Sequence, residues 1–181
     1  MKRGKKKIAK KELYPIGTVC FLLNGIVLFV YALLVPTYVR SVHGLITLTA
    51  VLFGVAAFPL YYALHVLHKV GSKVIVSLIE LAIIIFIVAD VILTLGLITP
   101  VNHAFTYVAG NILFTMGVLI SGVIMLKGVF YKWVGYLSIV TGVVGLATNI
   151  PPPSAALIRG ALFLLAAWSL AVGYSLRKFA R

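Results

Sequence analysis

Six long apolar segments, separated by short breaks of charged and turn-forming residues, constrain this chain more than any other feature of its sequence. Each segment has close to the ~20 residues that an α-helix needs to cross a ~30 Å hydrocarbon layer. Because the backbone in lipid must satisfy its own hydrogen bonds, each segment is predicted to be a helix. The predicted fold is therefore all-α: a polytopic integral membrane bundle of six transmembrane helices, over residues 14–35, 42–67, 74–98, 105–126, 133–150 and 155–176.

The composition argues against a water-soluble fold. Hydrophobic residues make up 62% of the 181 residues and charged residues only 10%, whereas a soluble domain carries roughly 25% charged residues. Cys20 is the only cysteine, which excludes an intrachain disulfide and a metal site built from cysteines. Gln is absent, and scarcity of Gln and Cys is typical of hyperthermophile proteins. This pattern favours an archaeal, thermophilic source.

The positions of the basic residues predict the orientation. Lys and Arg are enriched in the cytoplasmic loops of membrane proteins. If the N-terminus is cytoplasmic, fourteen of the sixteen Lys and Arg residues lie inside, and only Arg40 and Arg159 lie outside. We therefore predict a multi-pass cell-membrane protein with both termini in the cytoplasm. It has a basic tail at 1–13, a transmembrane domain at 14–176 and a basic C-terminus at 177–181.

The net charge of +13 points to lipid rather than to nucleic acid. Seven of the sixteen basic residues stand in the first eleven positions, and no basic face with a docking element accompanies them, as nucleic-acid binding would require. A basic tail beside a membrane attracts anionic headgroups, at ~1 kcal/mol per Lys or Arg. Membrane lipids are thus the predicted partner of the tail, and nucleic acid is not.

Two carboxylates interrupt the third apolar segment. A charge at the bilayer centre costs ~2.5–3.5 kcal/mol, so Glu80 and Asp90 must be paired, protonated or next to a hydrated cavity. Ten residues of helix place them ~15 Å apart along the axis and ~80° apart around it. That distance is too long for two carboxylates that share a proton. It suits two stations on one polar path, or two separate clamps between helices.

Partners for these carboxylates follow from depth in the membrane. Arg159, one turn into the sixth segment, is the predicted partner of Asp90, because its long side chain reaches toward the same depth. The groups available to Glu80 are His65, His68 and Lys127. Asn24 and Asn111 add hydrogen-bonding capacity within the first and fourth segments. The candidate residues of an intramembrane ion path are therefore Glu80, Asp90, Arg159, Asn24 and Asn111.

Small residues four positions apart predict where the helices pack. Lipid gives no hydrophobic drive for helix association, so close contact depends on such residues. We expect seams within one bundle, and a homo-oligomer seam is the alternative. The pairs are Ala50 with Gly54, Gly117 with Ser121, Ser138 with Gly142, Thr141 with Gly145, and Ser169 with Gly173.

The sequence shows no pattern of catalytic or cofactor-binding residues. A haem between His43 and His103, or a zinc ion on His65, His68 and Glu80, is compatible with spacing alone, but histidines at a membrane boundary are the commoner explanation. No serine–histidine–aspartate order, glycine-rich phosphate loop or redox cysteine pair occurs. We predict no catalytic residue, no cofactor and no bound metal.

Two functions remain compatible with these features. The first is a small transporter, channel or permease-like protein with its carboxylates on a polar path. The second is a non-catalytic membrane subunit or scaffold, in which the polar residues clamp helices or meet a partner chain. A membrane enzyme acting on lipid would need more polar residues converging at one boundary than the sequence offers.

Overall fold

The structure is a computed structural model, and it describes residues 2–34, 43–97, 100–128, 130–150 and 154–180. Side chains are described within these ranges except at 2–11, 43–46, 94, 100–104 and 180. The described residues form six α-helices and no strand. They are α1 (Lys2–Leu34), α2 (His43–His65), α3 (Lys69–Thr94), α4 (Pro100–Met125), α5 (Lys132–Ala147) and α6 (Ala155–Ala180).

The apolar helices confirm the prediction of an all-helical fold suited to a membrane. Five of the six helices are long and apolar enough to cross a bilayer, and α5, with 16 residues, is shorter. The ends of the helices differ from those of the apolar segments: α2 and α5 end at His65 and Ala147, before the predicted ends at 67 and 150, whereas other helices extend past their segments. The backbone of the basic tail is helical from Lys2, and α3 begins at Lys69, five residues before its apolar run. Apolarity therefore located each helix without fixing its ends.

Two local arrangements explain where α3 and α5 end. Gly96 adopts a left-handed backbone conformation at φ +70°. The amide of Leu97 donates to the carbonyl of Ile92 at 3.0 Å, which is a Schellman ending. At the end of α5, the Thr148 hydroxyl and the Asn149 amide both donate to the carbonyl of Gly145, at 2.7 and 3.1 Å. The two side chains thus satisfy a carbonyl in the last turn of the helix.

The helices form an antiparallel ring in chain order, and α6 closes the ring against α1. At one end of the bundle, Tyr14 contacts Phe179, with ring centroids 5.6 Å apart. At the other end, Phe29 contacts Phe163 at 5.4 Å. We call the half that holds the start of α1 and the end of α6 the terminal half, and the opposite half the distal half.

An aromatic cluster fills the middle of the ring. Trp168 is fully buried, and its ring stands edge-on to Phe21 at 5.8 Å and tilted to Phe53 at 6.0 Å. Phe53 also contacts Phe114 at 4.9 Å. Below this cluster the terminal half is filled by buried apolar side chains, which include Leu60, Leu64, Ile75, Val118, Met125 and Leu176.

Candidate functional site

A cavity of about 270 Å³ lies in the distal half of the bundle, and all six helices contribute to its wall. Three phenylalanines and several aliphatic side chains make most of this wall apolar. The cavity stops at Phe53 and Phe114, which belong to the central aromatic cluster. The apolar lining residues include Leu28, Phe53, Ile83, Phe86, Phe114, Ile158, Leu162 and Leu165.

Polar side chains from α4 and the end of α5 form one part of the wall. The Nδ2 group of Asn111 donates to the Thr148 hydroxyl at 3.2 Å and to Oδ1 of Asn149 at 3.1 Å. Among the described residues, nothing donates to Oδ1 of Asn111. This amide therefore joins α4 to α5 and still offers an acceptor to a molecule in the cavity.

The two threonines deeper in the cavity have their hydroxyls engaged by the backbone. Thr115 donates to the carbonyl of Asn111 at 2.7 Å, and Thr141 donates to the carbonyl of Leu137 at 2.7 Å. Both residues line the cavity. Because each hydroxyl is bonded within its own helix, these residues add little polarity to the deep part of the cavity.

Asp90 lies behind the cavity wall. It is 8% exposed, and its Oδ2 atom accepts a hydrogen bond from the Thr47 hydroxyl at 3.1 Å. The phenols of Tyr31 and Tyr107 are close neighbours of Asp90, and both of these tyrosines line the cavity. A buried carboxylate thus lies close to two side chains of the cavity wall.

Arg159 does not take the place predicted for it. It is exposed on the second turn of α6, whereas its neighbours Ile158 and Ala161 line the cavity. Among the described residues, no ion pair joins Arg159 to Asp90, whose described hydrogen bond comes from Thr47 on α2. The two residues lie toward the same end of the bundle, but the rotation of α6 about its axis turns Arg159 outward.

Glu80 is half-buried on α3 and is absent from the cavity lining. Its Oε1 atom is buried and has no hydrogen-bond partner among the described residues. Two of its predicted partners make local contacts instead. His65 bonds to the Ser72 hydroxyl at 3.1 Å, and Nδ1 of His68 accepts from the amide of Gly71 at 2.8 Å, which caps the start of α3.

Asn24 lies in the seam between α1 and α6, away from the cavity. It is fully buried, and its Nδ2 group donates to the Ser169 hydroxyl at 3.3 Å. Ser169 in turn donates to the carbonyl of Phe21 at 2.8 Å. The Oδ1 atom of Asn24 is buried without a described partner. Asn24 is thus a clamp between two helices in this structure.

Sequence reasoning missed part of the site. It gave no role in a site to Tyr31, Tyr107, Thr148 or Asn149. One signal was available, because residues four apart share a helix face, and Tyr107 stands four residues before Asn111. A polar pair on one face of an apolar helix indicates that this face points away from lipid.

Within the described part of the chain, no group of three or more His, Cys, Asp or Glu side chains is placed to hold a metal ion. His43 and His103 have side chains outside the described set. No family model, curated protein or solved structure matches this chain.

Proposed function

We propose that this chain is a six-span transporter of the cell membrane, with both termini in the cytoplasm and its solute site in the distal cavity. Asp90 is the carboxylate that exchanges a proton beside that site. The observation that carries the proposal is a cavity walled by all six helices, with a buried carboxylate close to its two tyrosines.

A carrier accounts for the shape of the cavity better than a channel does. The cavity occupies the distal half and ends at the central aromatic cluster, and the terminal half beneath it is filled by buried apolar side chains. A solute site that is sealed toward one side is what one state of an alternating-access carrier requires. Transport then needs the helices to move, so that Phe53 and Phe114 no longer close the site toward the terminal half.

The tyrosines link the carboxylate to the solute site in this proposal. An ionised carboxylate in a low-dielectric interior is costly unless hydrogen-bond donors surround it. Thr47 supplies one donor to Asp90, and Tyr31 and Tyr107 are neighbours of this carboxylate that also line the cavity. In this proposal, a solute that contacts these phenols couples its binding to proton exchange at Asp90. Glu80 serves as a second proton station toward the terminal half.

The six-span topology depends on α5, whose 16 residues rise only about 24 Å. Its packing supports a full crossing. Going along α5, Gly135 faces Leu126, Gly142 faces Leu119 and Gly145 faces Thr115. At its end, Thr148 and Asn149 bond to Asn111. The segment thus runs antiparallel to α4 along most of that helix.

Single cysteines test this topology. Cys20→Ser leaves a cysteine-free chain, into which Lys127→Cys, Arg159→Cys and Arg177→Cys are placed one at a time; all three positions are exposed. In intact cells, a membrane-impermeant maleimide should label position 159 alone. Positions 127 and 177 should react only after the membrane is opened. If α5 does not cross, position 159 will be protected together with 127, and 177 will be labelled from outside.

Proton flux tests the transporter itself. Purified protein is reconstituted into liposomes that contain a pH-sensitive dye, and a potassium diffusion potential is imposed with the interior negative. We expect proton entry faster than in protein-free liposomes made from the same lipid. A rate equal to that of protein-free liposomes, with correctly folded protein present, would count against proton-coupled transport.

The same measurement separates the transporter from a non-catalytic subunit or scaffold. That second candidate is favoured by the clamps between helices, such as the Ser121 and Ser138 hydroxyls, which lie 3.0 Å apart. Ser138 also donates to the carbonyl of Val118 at 2.7 Å. A scaffold conducts no protons, and it should copurify with partner chains from its own membrane.

A further inference from the structure

The outer surface of α6 changes character along its length. From Ala155 to Leu165 no residue of α6 is buried, whereas buried residues recur at every turn from Ala166 to Leu176. Four residues of the first stretch line the cavity: Ile158, Ala161, Leu162 and Leu165. An added Cβ atom at Gly160 would have no heavy atom within 4 Å. This stretch of α6 is therefore accessible both from the cavity and from outside the bundle.

The contacts of α6 with α1 differ from its contacts with α5. On the α1 side, packing continues into the distal half, where Phe29 contacts Phe163. On the α5 side, the terminal ends are joined by Tyr131 and Tyr174, whose rings stack at 6.3 Å. The Thr141 hydroxyl then approaches the carbonyl of Leu164 at 3.4 Å. Beyond that point toward the distal end, no hydrogen bond or ring contact joins α5 to α6 among the described residues.

We infer that the distal cavity opens sideways between α5 and α6, and that it admits the hydrocarbon chain of an amphiphile from the surrounding bilayer. The opening is flanked by apolar side chains, with Val140 and Val143 exposed on the adjacent outer face of α5. A charged or sugar-like solute would lose hydration free energy on crossing such a surface, because the apolar side chains cannot replace its hydrogen bonds to water. A hydrocarbon chain crosses it without that cost.

The size and polarity of the cavity define the ligand class further. The cavity volume of about 270 Å³ is just below the ~300 Å³ at which small-molecule pockets usually begin. The part of the ligand that enters the cavity must therefore be small. The apolar wall receives its chain. The free Oδ1 acceptor of Asn111 suits a hydroxyl or amide donor at its polar end. The binding of this amphiphile does not depend on the proposed function. Its identification as the transported molecule does.

Trp168 reports on the occupant of the cavity. It is fully buried and contacts Phe53, which lines the cavity. Trp133 is the other tryptophan, and it is exposed. In the Trp133→Phe protein, the remaining fluorescence therefore comes from inside the bundle. Bromine atoms on lipid chains quench tryptophan only at short range, so vesicles of phosphatidylcholine with brominated acyl chains are the probe.

Two phenylalanine substitutions on α6 give the matched comparison. Ala161→Phe fills the proposed opening, whereas Ala167→Phe places the same side chain on the exposed face of the helix, where Ala167 lies. We expect brominated vesicles to quench the fluorescence of Trp168 in the parent protein. Most of this quenching should be lost in Ala161→Phe and retained in Ala167→Phe. Equal fluorescence and equal thermal unfolding of the variants in unbrominated vesicles show that the fold is intact.

Each outcome decides the inference. Quenching that is the same in Ala161→Phe as in the parent means that the bromines act from outside the bundle, and it overturns lateral entry. An absence of quenching in every variant overturns it as well. Proton flux in the same vesicles is read separately. Flux without chain entry supports the transporter and contradicts the binding of an amphiphile in the cavity. Chain entry without flux indicates a lipid-binding protein that is not a proton-coupled carrier.

Discussion

Replacing Gly142 with alanine should destabilise the bundle by about 2 kcal/mol, within the range for overpacked sites. The added Cβ atom would lie 2.6 Å from Cβ of Leu119, 2.8 Å from its Cα and 2.9 Å from its amide nitrogen. Two of these three atoms belong to the backbone of α4, so no side chain can rotate away to make room. The helices must separate, and in lipid the loss of close packing removes a main source of their association.

The matched control is the same substitution at Gly54, on α2. An added Cβ atom there would have the side chain of Ile83 as its nearest neighbour, at 3.8 Å, which is ordinary van der Waals contact. Alanine is favoured over glycine within a helix by ~1 kcal/mol, so Gly54→Ala should stabilise the protein. Thermal or denaturant unfolding in detergent measures both variants. A gain of stability in both would show that α4 and α5 are not locked together by Gly142.

This seam also determines the geometry of the cavity wall. One turn beyond Gly142, Gly145 lies against the methyl group of Thr115, and one turn further Asn111 bonds to Thr148 and Asn149. Separation at Gly142 should therefore loosen the polar wall as well as the packing. Any loss of flux in Gly142→Ala has to be compared with its loss of stability before a functional role is assigned.

The number and type of the helices could be predicted because lipid leaves the backbone so few choices. Segment length and the need for internal hydrogen bonds identified six helical regions, and the described residues form a helix in each. The ends of the helices were less accessible to this reasoning. Helical hydrogen bonding continues into the polar flanks at Lys2 and Lys69, while the side chains of Thr148 and Asn149 end α5 by donating to the carbonyl of Gly145.

The sequence could predict how deep each candidate residue lies in the bundle, but not the direction in which its side chain points from the helix axis. Position along a helix follows directly from residue number, so the sequence was sufficient to predict that Asp90 and Arg159 lie toward the same end of the bundle. Which way each side chain faces is normally given by an amphipathic pattern. Helices that are apolar on all sides carry little of that pattern. The sequence therefore did not show that Arg159 points outward, or that Tyr31 and Tyr107 face a common cavity.

Replacing Asp90 with asparagine should reduce proton flux to the rate of protein-free liposomes. Asparagine has nearly the same shape, and its side-chain oxygen can still accept the hydrogen bond that Thr47 donates at 3.1 Å. It cannot take up or release a proton. The variant therefore removes the titrating group while keeping the contact between α2 and α3, and thermal unfolding should confirm that it is folded. Flux is measured under the potassium diffusion potential used for the parent protein.

The other two acidic residues of the chain supply one control and one further test. Glu12 is exposed near the start of α1 and far from the cavity, so Glu12→Gln should conduct like the parent. Glu80 has one buried oxygen without a described partner, and Glu80→Gln should also abolish flux if protons pass both levels of α3. Flux that survives Glu80→Gln and fails in Asp90→Asn would confine the path to the distal carboxylate. Undiminished flux in folded Asp90→Asn would mean that the carboxylate only clamps α3 to α2, and it would remove the basis for a proton-coupled carrier.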